Sequence, residues 1–501
     1  MRALSMRFAI ALVIGLSLVS TASAADQWIE VKSAHFTVVS NANERATRKL
    51  VWQLEQVRSA TSALFSWAKP DLNKPLSVIV LKDENSMRAL APKYWEERRA
   101  VKPASVWVTG PDQYYLVLRT DVEAEGQSNI NPYITAYFSY ISLVLSQSLD
   151  RDLPLWFIRG FTGVLSNTIV NDDHVLLGAP IPWELQIIRE RSIFPLPRLL
   201  SLTRTSPETN DATPRETYDA ETWAFVHFLM FGDEGKRARQ LNEFSKMVAA
   251  GKDASAAFAE TLGTVEALEG PFRIYMKQQI YSFRRYNIDV SVDREKFPVR
   301  TLTPAESASS RAMFHSAMRR PVEARAAIAE ARKVDPNAAG SYVAEGLIAD
   351  QENKDAEAKA AYGKAAELQS TNAYAYYRLA SLTWQPSPTK EVFEEIERHL
   401  TMAVRLNTRY ASAYSWLGEV RAFLGNTESI ALVRRAIQLE PTEPVHRLRA
   451  AHVLLRVGRP AEARADAEAA LALADNDAER REAERVLEAA RKAEAAKSMG
   501  K

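Results

Sequence analysis

The spacing of apolar residues divides the chain into a mixed first part and a helical second part. Apolar runs of strand length occur five times in the first part, at 28–31, 36–40, 76–81, 105–108 and 114–119. The last two flank a Gly-Pro-Asp turn at 110–112, which predicts a hairpin. A long amphipathic pattern over 43–67 predicts a helix, and from Pro132 onwards the pattern is almost wholly helical. The first part is therefore predicted to be an α+β domain, a small sheet with helices packed after it.

Small residues recur at a fixed interval in the second part. Three pairs of alanines are each 34 residues apart, namely Ala324 and Ala358, Ala331 and Ala365, and Ala436 and Ala470. Each unit reads as two short helices that cross at these small residues, where a larger side chain would hold the helices apart. A 34-residue period of this kind resembles the tetratricopeptide repeat. We expect an all-α tetratricopeptide-repeat solenoid of about five units over 305–476, then a capping helix and tail over 477–501.

The first residues have the pattern of an export signal. Arg2 and Arg7 precede an apolar run over 8–19, and Ala22-Ser23-Ala24 supplies small residues for cleavage. This predicts a signal peptide at 1–24, with an uncleaved anchor as the alternative. We therefore expect a periplasmic protein, or alternatively a secreted one, that does not span a membrane after cleavage.

Composition narrows the function classes. The chain has 501 residues, which predicts more than one domain, and a formal net charge of +2, which gives no sign of a nucleic-acid surface. It has no cysteine. This excludes disulfides, cysteine-ligated zinc and thiol catalysis.

Several short motifs carry a resemblance to a known family. They are LPLWFIRGFTGVLSNT at 153–168, YDAETWAFVHFLMFGDEG at 218–235, FRIYMKQQI at 272–280 and the opening WIEVKSAHFTVVSNA at 28–42. In this order they resemble the peptidase MA-like, gluzincin-type domain, a group in which tetratricopeptide repeats often follow. The resemblance covers most of residues 26–287. It implies a metallopeptidase-like domain over 25–300.

The same resemblance implies that the metal site has been lost. Such peptidases hold zinc with two histidines four residues apart, a neighbouring glutamate as base, and a further glutamate in a Glu-Gly pair. On the matching positions the histidines are replaced by Ser139 and Leu143, the base by Tyr140, and the further glutamate by Arg159. A guanidinium at that corner repels a dication. We therefore expect no catalytic residue, no metal and no cofactor.

Two other polar patterns are candidates for chemistry. Ser139, Ser142 and Ser146 form a stripe on one helix face, which fits either a serine nucleophile or, as we prefer, a polar filling of the emptied cleft. His227 lies on an apolar helix face and is interpreted as a core histidine rather than a ligand.

The repeat array is the expected binding surface. Tyr374, Tyr377 and Trp384 are predicted to face its groove, although they could instead pack against the second helices. The expected partner is another envelope or periplasmic protein. Three functions remain open: a non-catalytic scaffold, which we favour; a hydrolase that acts on peptide or cell-envelope substrates through altered residues in the old cleft; and an assembly factor that acts through the repeats alone.

Overall fold

The computed structural model describes residues 26–64, 67–96, 102–122, 130–148, 153–287 and 293–499. The signal peptide predicted at 1–24 lies outside these ranges. Within them, no helix combines the length and the apolar character that crossing a bilayer requires.

The strands form two sheets. They are β1 (Ile29–Lys32), β2 (Thr37–Ser40), β3 (Leu76–Leu81), β4 (Ser105–Thr109), β5 (Tyr114–Arg119), β6 (Ile169–Val170), β7 (Val175–Leu177), β8 (Arg284–Tyr286) and β9 (Val299–Thr301). The larger sheet has the order β4-β5-β3-β2-β1-β9, with β2, β3 and β5 parallel and the other pairs antiparallel. Strands β6, β7 and β8 form a small antiparallel sheet.

Eleven helices accompany these strands in the described part of the chain before residue 300. They are α1 (Glu44–Leu64), α2 (Glu84–Leu90), α3 (Ile134–Ser148), α4 (Leu155–Ser166), α5 (Pro182–Glu190), α6 (Leu196–Ser201), α7 (Pro207–Asn210), α8 (Ala212–Phe231), α9 (Ala238–Ala249), α10 (Ala254–Thr261) and α11 (Val265–Met276). Short 3-10 helices lie at Pro92–Trp95, Gly232–Gly235 and Arg294–Lys296. From Pro132 onwards we expected an almost wholly helical structure. The four short strands β6 to β9 lie after this residue, and at these strands the expectation is wrong.

The central strand β3 is apolar except at Ser77, and its last four residues are buried because both faces of the sheet are covered. Val78 and Val80 belong to a core that includes residues of α1, α3 and α4. Ile79 and Leu81 point to the other face and belong to a second core. A strand buried on both sides needs a continuous apolar run rather than alternation, which is why its bounds could be predicted at 76–81.

The second core of the sheet is completed by a helix from beyond residue 300. Helix α12 (Pro304–Ala317) contributes Phe314, which is fully buried among Ile79, Val117 and Tyr115. The ring centroids of Phe314 and Tyr115 are 5.9 Å apart in an edge-to-face arrangement. The first helix of the repeat array is therefore also part of the hydrophobic core of the sheet.

The array itself consists of five helix pairs in the described range 304–473. After α12 come α13 (Pro321–Val334), α14 (Ala339–Gln351), α15 (Asp355–Glu367), α16 (Ala373–Thr383), α17 (Lys390–Leu406), α18 (Ala411–Phe423), α19 (Ser429–Leu439), α20 (Pro444–Arg456) and α21 (Pro460–Leu473). A long helix, α22 (Asp477–Met499), packs against α20 and α21.

Small residues lie where the two helices of a pair meet, as the sequence predicted. A Cβ atom on Gly346 would be 2.5 Å from the Tyr362 ring, and one on Gly418 would be 2.7 Å from Val433. Ala358 is fully buried at the same kind of position. These contacts require residues with little or no side chain. The array therefore has the architecture of a tetratricopeptide-type repeat region.

The loops between repeats dock on the first part of the chain. Asn372 Nδ2 donates to Asp112 Oδ2 at 3.1 Å. Arg409 Nε donates to the Leu72 carbonyl at 3.2 Å, and Asn73 Nδ2 donates to Glu440 Oε1 at 3.1 Å. Successive units thus use the same edge of the array, and we call this set of contacts the junction.

Candidate functional site

An open groove lies between α16, α18 and α20, the first helices of three consecutive repeats. It has a volume of about 380 Å³. It is lined by Tyr377, Ser381, Trp384, Phe393, Trp416, Glu419, Val420, Phe423 and Arg449. Most of these residues come from the first helices, but Trp384 directly follows α16 and Phe393 lies on the second helix α17.

Aromatic rings form the wall of the groove and remain accessible. Phe393 and Phe423 are stacked, with centroids 4.9 Å apart, and Trp384 meets Phe393 edge-on at 6.1 Å. Trp384 is 47% exposed and Phe423 is 45% exposed. Tyr377 contacts Trp416 edge-to-face at 5.7 Å. The rings therefore hold each other in place while two of them keep nearly half their surface free.

Charged groups border the aromatic wall. Arg449 lies 3.5 Å from Glu419, and His452 Nδ1 is 3.4 Å from the same carboxylate. The Arg456 guanidinium lies over the Phe423 ring at 3.7 Å and has no carboxylate partner among the described residues. The groove thus offers apolar faces beside a mixed but slightly cationic rim.

The structure separates the three residues that the sequence grouped in the groove. Tyr377 and Trp384 line it together, whereas Tyr374 lines a smaller cavity of about 110 Å³ at the junction. Sequence reasoning missed Trp416 and Phe423. Both lie on the first helix of the next repeat, each 39 positions after Tyr377 or Trp384. A 34-residue step from those two residues leads instead to Ala411 and Gly418, so the period alone could not have indicated them.

The junction cavity contains a buried carboxyl group. Asp112 accepts hydrogen bonds from Tyr115 and Asn372, and burial raises its pKa to about 6. Tyr410 lines this cavity and also contacts the groove residue Tyr377, with ring centroids 4.9 Å apart. The groove and the junction are therefore linked by one pair of packed rings.

The positions that the resemblance matches to two histidines and a base, Ser139, Leu143 and Tyr140, lie on α3. The Ser139 hydroxyl donates to the Thr135 carbonyl one turn earlier, at 3.1 Å, and Leu143 is half-buried. Tyr140 is buried in the core, where it packs edge-on against Phe36, and its hydroxyl donates to the Pro70 carbonyl at 3.2 Å. Burial raises the pKa of Tyr140 above its usual range, so this phenol stays neutral.

Arg159 on α4 lies beside a carboxylate of α8. Its Nε is 3.8 Å from Asp219 Oδ1 on α8. Burial raises the pKa of Asp219, against the opposing effect of Arg159. Burial and the nearby Asp219 also raise the pKa of Glu184 to about 7. Asp219 Oδ1, Glu184 Oε2 and the Tyr218 hydroxyl have no hydrogen-bond partner among the described residues.

A metal site among the described residues would require metal-ligating side chains to gather in a cluster. Within the described ranges, no three histidine, aspartate or glutamate side chains are placed to hold a metal ion. His227 is buried between the Tyr275 hydroxyl, at 2.6 Å, and the Gly178 carbonyl, at 2.7 Å, and burial lowers its pKa to about 4. It is a neutral core histidine, as the sequence indicated.

Comparison with solved structures finds similarity to TPR proteins. No protein-family model matches the chain, and no curated protein matches it either. Among solved structures, it resembles YrrB, described as a TPR protein with an unusual peptide-binding site, at 19% identity over 36% of this chain and 92% of that one, with a TM-score of 0.31.

Two further structures give similar values. TTC0263, a thermophilic TPR protein of Thermus thermophilus, is 22% identical over 36% of this chain and 98% of that one, with a TM-score of 0.27. MamA is 23% identical over 33% of this chain and 92% of that one, with a TM-score of 0.28. Because these TM-scores are below 0.5, we assign the array from its own helix pairs and their spacing.

Proposed function

We propose that the protein is a non-catalytic scaffold whose repeat groove binds an extended segment of another envelope protein. The observation that carries this proposal is the aromatic wall, in which Trp384 and Phe423 remain nearly half exposed while neighbouring rings fix them. Rigid exposed aromatic side chains give a large contact area at a small entropic cost, and they dominate many protein interfaces. A groove of about 380 Å³ admits a few side chains of a bound segment rather than a folded domain.

The proposal is tested by selecting binders from a displayed library of random twelve-residue peptides. We expect enrichment on the protein without residues 1–24, and loss of binding in the double variant Trp384→Ala with Phe423→Ala. Removal of two interface aromatics should weaken binding by at least tenfold. Trp183→Ala is the matched control, since Trp183 is 41% exposed but lies outside the array. Peptides that bind the double variant as well as the unaltered protein would refute the groove as the site.

In this proposal the first part of the chain is a peptidase-like domain that has no metal chemistry. The protein is exported to the periplasm or secreted. Support comes from the residues at the matching positions, none of which is a zinc ligand, and from Arg159, whose charge lies beside Asp219. A cation held there takes the place that a dication would need. We expect purified protein to contain no stoichiometric zinc by mass spectrometry. Tightly held zinc at one equivalent would end this part of the proposal.

One observation favours a second candidate, a hydrolase. Asp219 lies 3.8 Å from Arg159, and Glu184 is near Asp219. Each carboxylate has one buried oxygen without a hydrogen-bond partner among the described residues, and the Glu184 pKa of about 7 suits a general acid or base. This candidate expects hydrolysis of peptides or cell-wall fragments that falls at least a hundredfold in Glu184→Gln. We expect no such activity. Activity that is abolished by Glu184→Gln would replace the scaffold with an enzyme.

The third possibility, an assembly factor that acts through the repeats alone, calls for a different test from deletion of the array. Deletion of residues 305–501 would remove Phe314 from the core of the sheet. The groove double variant leaves that core intact. If it loses every partner, the repeats alone account for binding. If a partner remains, the first part of the chain binds as well.

A further inference from the structure

Three large apolar side chains that are near one another in sequence are exposed at the end of α11 and in the loop after it. Ile274 is 70% exposed, Ile280 is 85% exposed and Phe283 is 40% exposed. All three fall within ten residues of the chain, although apolar side chains of this size are normally buried. Clustered exposure of this kind marks a surface that meets another phase or molecule.

The loop that carries these side chains is anchored on both sides. Tyr281, which follows Ile280 in sequence, is buried. Its hydroxyl donates to the Met276 carbonyl at 3.0 Å, and the centroid of its ring lies 5.3 Å from that of Tyr275. Strand β8 begins directly after Phe283 and pairs with β7. Ile280 and Phe283 are therefore held outward by a fixed loop.

The same stretch is basic. Residues 271–287 contain no aspartate or glutamate, and their four cations are Arg273, Lys277, Arg284 and Arg285. Arg273 and Arg285 are paired with carboxylates of neighbouring elements. Lys277 has no ion-pair partner within the described ranges, and Arg284 donates to the Glu234 carbonyl. Two full positive charges thus lie beside the exposed apolar groups.

We propose that this face, composed of Ile274, Lys277, Ile280, Phe283 and Arg284, docks the protein on a bilayer surface that carries anionic phospholipid. Apolar tips that project from a surface can enter the headgroup region, while the flanking cations meet lipid phosphates. Side chains exposed by 70% and 85% project outward and enclose no ligand of their own. The proposal does not depend on the repeat groove, which lies on other helices.

The test is co-sedimentation with vesicles of phosphatidylglycerol and, in parallel, of phosphatidylcholine. The chain is used without residues 1–24, whose apolar run would itself bind lipid. We expect partition onto phosphatidylglycerol vesicles that weakens with salt, and much weaker partition onto phosphatidylcholine. Ile280→Ser should lower the partition coefficient about tenfold, since it removes one inserted side chain. Lys277→Glu should lower it by a similar factor.

Val322→Ser is the matched control, because Val322 is 75% exposed but lies on α13. It should partition like the unaltered protein, and circular dichroism should show that every variant is folded. Absence of partition onto phosphatidylglycerol, or equal partition of Ile280→Ser and the unaltered protein, would overturn the proposal. Analytical ultracentrifugation tests whether the same face instead binds a second copy of the chain or another protein. If Ile280→Ser abolishes such an association and the unaltered protein does not bind vesicles, the proposal is overturned.

Discussion

Replacement of Phe314 by alanine tests whether the sheet and the repeat array share one core. The Phe314 side chain is fully buried, and its ring packs on Tyr115 and against Ile79 of the central strand. Removal of a buried phenylalanine ring costs about 3–5 kcal/mol, from the lost transfer free energy and the cavity left behind. Because domains are typically stable by only about 5–15 kcal/mol, this loss is a large fraction of the total.

Urea titration followed by two signals measures the effect of Phe314→Ala. Tryptophan fluorescence reports on both parts of the chain, and far-ultraviolet circular dichroism reports mainly on the helices. We expect both midpoints to fall together, because α12 belongs to both structures. Phe423→Ala, at a residue 45% exposed, is the control and should cost less than about 1 kcal/mol. A cost below about 1 kcal/mol for Phe314→Ala, or a shift in the helical signal alone, would refute the shared core.

Two further predictions concern a helix crossing and a buried acid. Gly418→Ala should lower the midpoint of thermal unfolding, because the added Cβ would be 2.8 Å from the Ser429 carbonyl oxygen. Gly363→Ala has open space around the added Cβ, so it should raise the midpoint slightly. Equal midpoints for the two variants would contradict this prediction. Burial raises the pKa of Glu221 to about 8 from its ordinary value of 4.5, so the folded protein keeps a proton that the unfolded chain has released. The free energy of unfolding should therefore fall as pH rises from about 4.5 to about 8. Glu221→Gln should reduce that slope in urea titrations across the range, and an unchanged slope would contradict the assignment.

The parts of the fold that could be predicted from the sequence are those that depend on residues close together in the chain. The run at 76–81 gave β3 its observed bounds, and the turn at 110–112 lies in the observed β4–β5 hairpin. The helix pairs followed from their small residues. By contrast, β8 and β9 have three residues each and show no periodicity. Their pairing depends on partners far along the chain.

The candidate sites depend still more on distant contacts. Arg159 and Asp219 are 60 positions apart in sequence, and only the packing of α4 on α8 places them together. Phe423 completes the groove wall through Phe393, which lies in the preceding repeat. The sequence could nominate single aromatic residues in one repeat. It could not show which of them reach the same groove. Tyr374 was assigned to the groove for this reason, but it lines the cavity at the junction.

Site-specific photo-crosslinking in the groove tests the central claim most directly. A photoreactive residue is placed at Ser381, which lines the groove, and in a separate protein at Val322, which is exposed on α13 outside it. We predict a crosslinked partner from position 381 that is absent from position 322 and is lost when Phe423→Ala is added. No adduct from position 381, or the same adduct from both positions, would contradict a binding groove between α16, α18 and α20.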